Sequence, residues 1–94
     1  REPVLRVQGR ETLMTFSEAV ALELRRARML HPTAQANLHE GYAILLEEID
    51  ELWEMVRLKG HLRDPLLLRE ELVQIAAMAQ RLHEDVVESG HYKV

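Results

Sequence analysis

A chain of 94 residues, 47% hydrophobic and free of cysteine, suffices for one small domain and excludes disulfides, thiolate zinc sites and cysteine nucleophiles. Its formal charge of -4 lacks the clustered Lys and Arg that phosphate backbones require, which argues against a nucleic-acid partner. The longest apolar runs, Ala43 to Leu46 and Ile75 to Ala79, fall far short of the roughly 18 residues that cross a bilayer, and no charged-then-apolar leader opens the chain, so a soluble, cytoplasmic protein with no membrane partner is expected.

The chain starts at Arg1 rather than Met and reads as a piece of a longer one. Residues 1–14 hold Pro3 and Gly9 and show no sustained period, which predicts an extended or disordered arm. Residues 15–90 form one helical domain, and 91–94 a C-terminal tail. The first helix begins after Thr15, whose spacing to Glu18 fits a capping box, and runs to about Leu30, where His31-Pro32 stops it. Its apolar positions are Val20, Leu24, Ala27 and Leu30.

Asn37 and Glu40 open the second helix, which is expected to run to Gly60 as a left-handed cap, with Arg57 and Lys59 in the last turn. Asp64-Pro65, an N-cap acid followed by proline at the first helical position, opens a third helix that runs to Gly90. Only Gly60 to Arg63 separate the two, which predicts an antiparallel hairpin. Leu45, Ile49, Leu52, Trp53 and Val56 form the expected core stripe of the second helix; Leu68, Leu72, Ile75, Ala79, Leu82 and Val86 form that of the third. The fold class is thus all-α, an antiparallel helical bundle with a long helix hairpin. So few bulky residues leave its core small, and a homodimer or homotetramer would complete it.

Five acids, Glu47, Glu48, Asp50, Glu51 and Glu54, lie between Leu45 and Val56 with no basic residue among them. Glu47 faces Glu51 and Asp50 faces Glu54 at i,i+4, a repulsion of a few tenths of a kcal/mol per pair. A second pair, Glu70 and Glu71, follows on the third helix. Glu51 and Glu71 stand at similar heights from the turn, and the i,i+3 spacing of Glu48 and Glu51 lets both reach one hard cation such as Mg²⁺, which takes oxygen ligands and keeps waters. Such an ion neutralises a triphosphate and activates a water, so phosphoanhydride hydrolysis is the natural chemistry. The same acids also suit a solvated helix face.

His39 to Trp53 (HEGYAILLEEIDELW), followed by Arg69 to Ala76 (REELVQIA), resembles the MazG-like all-α nucleotide pyrophosphohydrolases over roughly residues 16 to 87. In that family a Glu-Glu-x-x-Glu helix and a Glu-x-x-Asp helix bind Mg²⁺ and cleave a nucleoside triphosphate to monophosphate and pyrophosphate. The resemblance implies that Glu47, Glu48 and Glu51 match the first motif, and Glu71 the first acid of the second. The family's Asp position is Gln74 here. A carboxamide oxygen still ligates a hard cation, but it brings no charge and cannot act as a base.

Glu48, Glu51, Glu71 and Gln74 are therefore the expected metal ligands for Mg²⁺ or Mn²⁺, with Glu47 a further ligand or the group that orients the attacking water. Lys59, Arg63 and Arg81 are candidate phosphate-binding cations, and His39 is a candidate contact to base or phosphate. Trp53 reads as core packing, and Met55 and Met78 as gap-fillers at a helix contact. Two alternatives stand beside the triphosphate pyrophosphohydrolase: a phosphoribosyl-nucleotide pyrophosphatase, and a non-catalytic helical module for oligomerisation or nucleotide binding in which Gln74 marks a degenerate metal site.

Overall fold

Phe16–Leu30 form α1, Leu38–Val56 α2 and Pro65–Leu82 α3 in a computed structural model that describes residues 4–7 and 10–93, with side chains from residue 14 onward. Each helix starts on a side-chain cap. Thr15 Oγ1 accepts from the Glu18 N–H at 3.1 Å while Glu18 Oε1 accepts from the Thr15 N–H at 2.9 Å, a complete capping box. Asn37 Oδ1 accepts from the Glu40 N–H at 2.9 Å, and Asp64 Oδ1 from the Leu66 N–H at 2.8 Å, ahead of Pro65.

The end of α2 differs from the expected cap at Gly60. The helix stops at Val56, Arg57 keeps a right-handed backbone, and Gly60 opens a short 3-10 turn, Gly60–Leu62. The physical reason is the Arg63 guanidinium, which donates to the Val56 carbonyl and so satisfies a helix-end acceptor without a left-handed glycine. Among the described residues the glycine with positive φ is Gly90, at +86°. It closes a run in which α3 passes into one turn of π-helix, His83–Val87, where the Glu88 N–H donates to the His83 carbonyl at 2.8 Å.

Within the arm, Val4–Val7 (β1) and Arg10–Leu13 (β2) pair antiparallel, Val4 opposite Leu13 and Val7 opposite Arg10. Pro3, Gly9 and the last tail residue, Val94, lie outside the described residues. Arg69 of α3 ties the arm's end to the helices, donating to the Met14 carbonyl at 2.9 Å and lying over the Phe16 ring.

The three helices carry the packing. α3 lies against α1 and against α2, whereas α1 and α2 approach each other little, so a groove opens between them over α3. Val20 and Leu24 of α1 meet Val73 and Ala77 of α3 in the buried core. The protein measures 45 × 35 × 19 Å, and a helix with its side chains is about 10–12 Å across, so its thin dimension holds barely two helices.

α2 presents a different face from the one its apolar stripe predicts. Trp53, expected in the core, is 57% exposed, and Ile49 and Val56 are also exposed, as is Leu72 of α3. The inward face is instead Gly41, Ile44, Leu45, Glu48, Leu52 and Met55. Gly41 suits this rotation: a Cβ there would stand 2.1 Å from Leu82 Cδ1 and 2.9 Å from Gln35 Oε1, so a larger residue would have to displace both side chains where the start of α2 approaches the end of α3. Turning Gly41 inward brings Glu48, two turns on, inward with it.

Candidate metal centre

Glu48 and Glu51 on α2 and Glu71 on α3 come together. Each offers one carboxylate oxygen within 4.8 Å of the other two. Their exposures differ: Glu51 is exposed, Glu48 is half-buried, and Glu71 is 5% exposed. Glu71 sits one turn before Gln74 and next to Leu72 on α3, and Leu45 and Leu52 on the inward face of α2 surround Glu48. The sequence thus places two carboxyl groups on faces that packing takes out of water.

No donor reaches Glu71 Oε2 or Glu48 Oε2, although both atoms are buried. Uncompensated burial is costly for a carboxylate. Glu71 responds by holding its proton: burial, then hydrogen bonding with Glu48 and Glu51 and their repulsion, push its pKa up to about 8. Near neutral pH the three groups share less than three negative charges, and a proton supplies the positive charge between them. The donor set, all oxygen, anionic and short of partners, fits a hard divalent cation such as Mg²⁺ or Mn²⁺.

A cavity of about 430 Å³ adjoins this cluster in the groove, lined among others by Arg26, Glu40, Glu48, Gln74, Met78 and Arg81. A second cavity of about 580 Å³ shares Glu23, Arg26 and Gln74 with it and continues toward the start of α3. Gln74 therefore sits in the groove beside the acids. Glu23 and Arg26, which the sequence reading does not single out, bind each other through Nε to Oε1 at 3.0 Å and Nη2 to Oε2 at 2.8 Å on the groove flank of α1. Their i,i+3 spacing beside Val20, Leu24 and Ala27 is the signal that places them there.

The remaining candidates are not among the three grouped carboxylates. Glu47 is exposed on α2 next to Glu48 and Glu51, and His39 is exposed in the first turn of α2. Lys59 is exposed in the connection to α3, and Arg63 is engaged by the Val56 carbonyl. Arg81 is 4% exposed and four of its five N–H donors are engaged: Nη2 on the carbonyls of His31 and of Thr33 (2.9 Å), Nη1 on that of Ala27 (3.4 Å), and Nε on Asp85 (3.3 Å). It fixes the end of α1 and the segment after it, a structural task in place of the phosphate contact expected from sequence.

Asp85 also accepts from the Gln35 N–H at 2.9 Å and from Arg28 at 2.9 Å, and Glu84 accepts from Arg28 at 2.7 Å. Burial pushes the Asp85 carboxyl up, but the Gln35 amide and the two guanidinium groups outweigh it and hold it below the usual range. The unsatisfied cluster at Glu71 lies on the N-terminal half of α3, and this satisfied one lies in the π-helical turn that follows it. Comparison with protein-family models, with characterised proteins and with solved structures finds no match to this chain.

Proposed function

We propose that the chain is a Mg²⁺-dependent nucleoside triphosphate pyrophosphohydrolase whose α2 and α3 form the hairpin that carries the metal ligands. The observation that carries this reading is the meeting of Glu48, Glu51 and Glu71, with Glu71 and Glu48 each holding a buried oxygen that no donor reaches. Glu48, Glu51 and Glu71 would hold the cation, with Gln74 supplying a neutral oxygen from the groove. When bound, the ion neutralises phosphate charge and lowers the pKa of a water for attack on phosphorus. Glu47, exposed beside the cluster, would orient that water, and the groove between α1 and α2 is large enough to take a ligand.

The reading is tested by pyrophosphate release from a panel of nucleoside triphosphates with Mg²⁺ or Mn²⁺. Glu48→Gln and Glu51→Gln should each lower release at least tenfold; unchanged release in both variants overturns the assignment. A second reading, a cation-binding helical module without turnover, is favoured by one observation: Arg63 and Arg81, two of the three expected phosphate-binding cations, are engaged by backbone carbonyls. It predicts a Mg²⁺-dependent rise in melting temperature with no pyrophosphate from any substrate.

A further inference from the structure

Among the described residues three buried side-chain oxygens have no donor, on Gln35, Glu48 and Glu71. Glu48 and Glu71 belong to the metal centre, and Gln35 does not. Gln35 lies in the connection between α1 and α2, is 4% exposed, and lines the same cavity of about 430 Å³ as Glu48. Its oxygen is turned against Gly41, where a Cβ would stand 2.9 Å from it, and Gly41 precedes Glu48 by seven residues, about 10 Å along α2. The backbone that carries Gln35 is fixed: its N–H donates to Asp85 at 2.9 Å, and the carbonyls of His31 and Thr33 accept from Arg81. A buried oxygen on a pinned backbone with no donor of its own is costly, and an N–H brought in by a ligand relieves that cost.

We propose that the Gln35 end of this cavity is a nucleobase subsite that reads an exocyclic amino group, as in cytosine or adenine, through Gln35 and Glu40. Its ligand class rests on the nucleotide reading above: with the phosphates at a cation held by Glu48, a span of about 10 Å along α2 brings the base to Gln35. The terminal torsion of a carboxamide is soft, so Gln35 can turn its oxygen from Gly41 into the cavity. Glu40, in the first turn of α2, adds an exposed carboxylate to the same wall. An amino group carries two hydrogens, one for each of these acceptors, whereas the carbonyl that uracil or hypoxanthine has in its place turns an oxygen toward both. The guanidinium groups on this wall are already engaged, Arg26 with Glu23 and Arg81 with Asp85 and three backbone carbonyls. Leu30, Ile44 and Met78 supply apolar walls for the ring. A site of this kind discriminates because the wrong base leaves its buried polar groups unpaired.

Calorimetric binding of nucleoside monophosphates in Mg²⁺ tests this without any turnover, using matched pairs that exchange the amino group for a carbonyl. Cytidine monophosphate should bind about tenfold or more tighter than uridine monophosphate, and adenosine monophosphate about tenfold or more tighter than inosine monophosphate. Gln35→Met keeps the length of the side chain and removes the acceptor, so both ratios should fall below about threefold while the melting temperature holds or rises, the donorless oxygen being gone. Glu40→Gln, a change at an exposed site, should lower both ratios with helical circular dichroism retained. Equal affinities within each pair, tighter binding of the carbonyl member, or ratios that persist in either variant overturn the subsite. Binding of none of the four leaves the Gln35 oxygen to an ordered water and also overturns it. The subsite and the catalytic reading fail separately: pyrophosphate release from triphosphates with no amino preference overturns the subsite alone, whereas an amino preference in binding with no release from any triphosphate supports the subsite and overturns the hydrolase.

Discussion

Glu71 is placed where a charge is least welcome. It is 5% exposed, it faces two other carboxyl groups, and one of its oxygens has no donor. Its folded pKa, pushed up to about 8, lies above the ordinary value of 4.5. Between those two values folded Glu71 holds more of its proton than it does in the unfolded chain, so its contribution to stability is most favourable below pH 4.5 and declines as the pH rises toward 8. Replacing the group by an amide removes that penalty and adds an N–H that the neighbouring carboxylates can accept. In chelator, Glu71→Gln should therefore melt several degrees higher than the parent at pH 8 and at about the same temperature at pH 4.5. The variant should also lose any rise in melting temperature on adding Mg²⁺. Parallel melting profiles for the two proteins across this range would place the raised pKa on another residue.

At the scale of elements, what could be read in the sequence was local and what could not was tertiary. The starts of α1, α2 and α3 depend on contacts two or three residues apart, Thr15 with Glu18, Asn37 with Glu40 and Asp64 with Leu66, and the chain states them outright. Glu48, Glu51 and Glu71 were also legible as a set, because their spacing fixes their heights on neighbouring helices. The face that α2 turns inward was not legible, since its apolar residues cover more than half of its circumference and periodicity cannot choose among them. Nor did spacing point to the cluster of Arg28, Glu84 and Asp85, whose members meet across more than fifty residues. Gly41 suits the rotation of α2, and it can be tested: Gly41→Ala gains up to about 1 kcal/mol in helix propensity but drives a methyl into Leu82 and Gln35, an overpacking that costs about 1–3 kcal/mol. A net loss of about 1 kcal/mol is expected in urea unfolding. A stabilised variant would mean that α2 does not pass this close to Leu82.

For the whole molecule, α3 joins two charged clusters of opposite character, some 21 Å apart along its axis from Glu71 to Asp85 if the π-helical turn is neglected. One cluster lacks positive charge and the other is fully paired, so they titrate in opposite senses. Asp85, held below its usual range chiefly by the Gln35 amide and Arg28, and Glu84, held down by Gln80 and Arg28, contribute stability that is present above about pH 4 and lost as the pH falls through their depressed folded values. Glu71 contributes a loss that grows from pH 4.5 to 8. In chelator the melting temperature should therefore form a dome with its crest near pH 4–5, lower than the neutral optimum usual for proteins of this size. A divalent cation that takes the place of the Glu71 proton acts on one limb alone: Mg²⁺ should raise the melting temperature at pH 8, by an amount that grows with its concentration, and leave the acid limb in place. Asp85→Asn should do the converse, flattening the acid limb while the alkaline limb and its Mg²⁺ response persist. If Mg²⁺ moves both limbs equally, its effect is general screening of a chain of charge -4, and the two clusters are not the independent sites that their partners indicate.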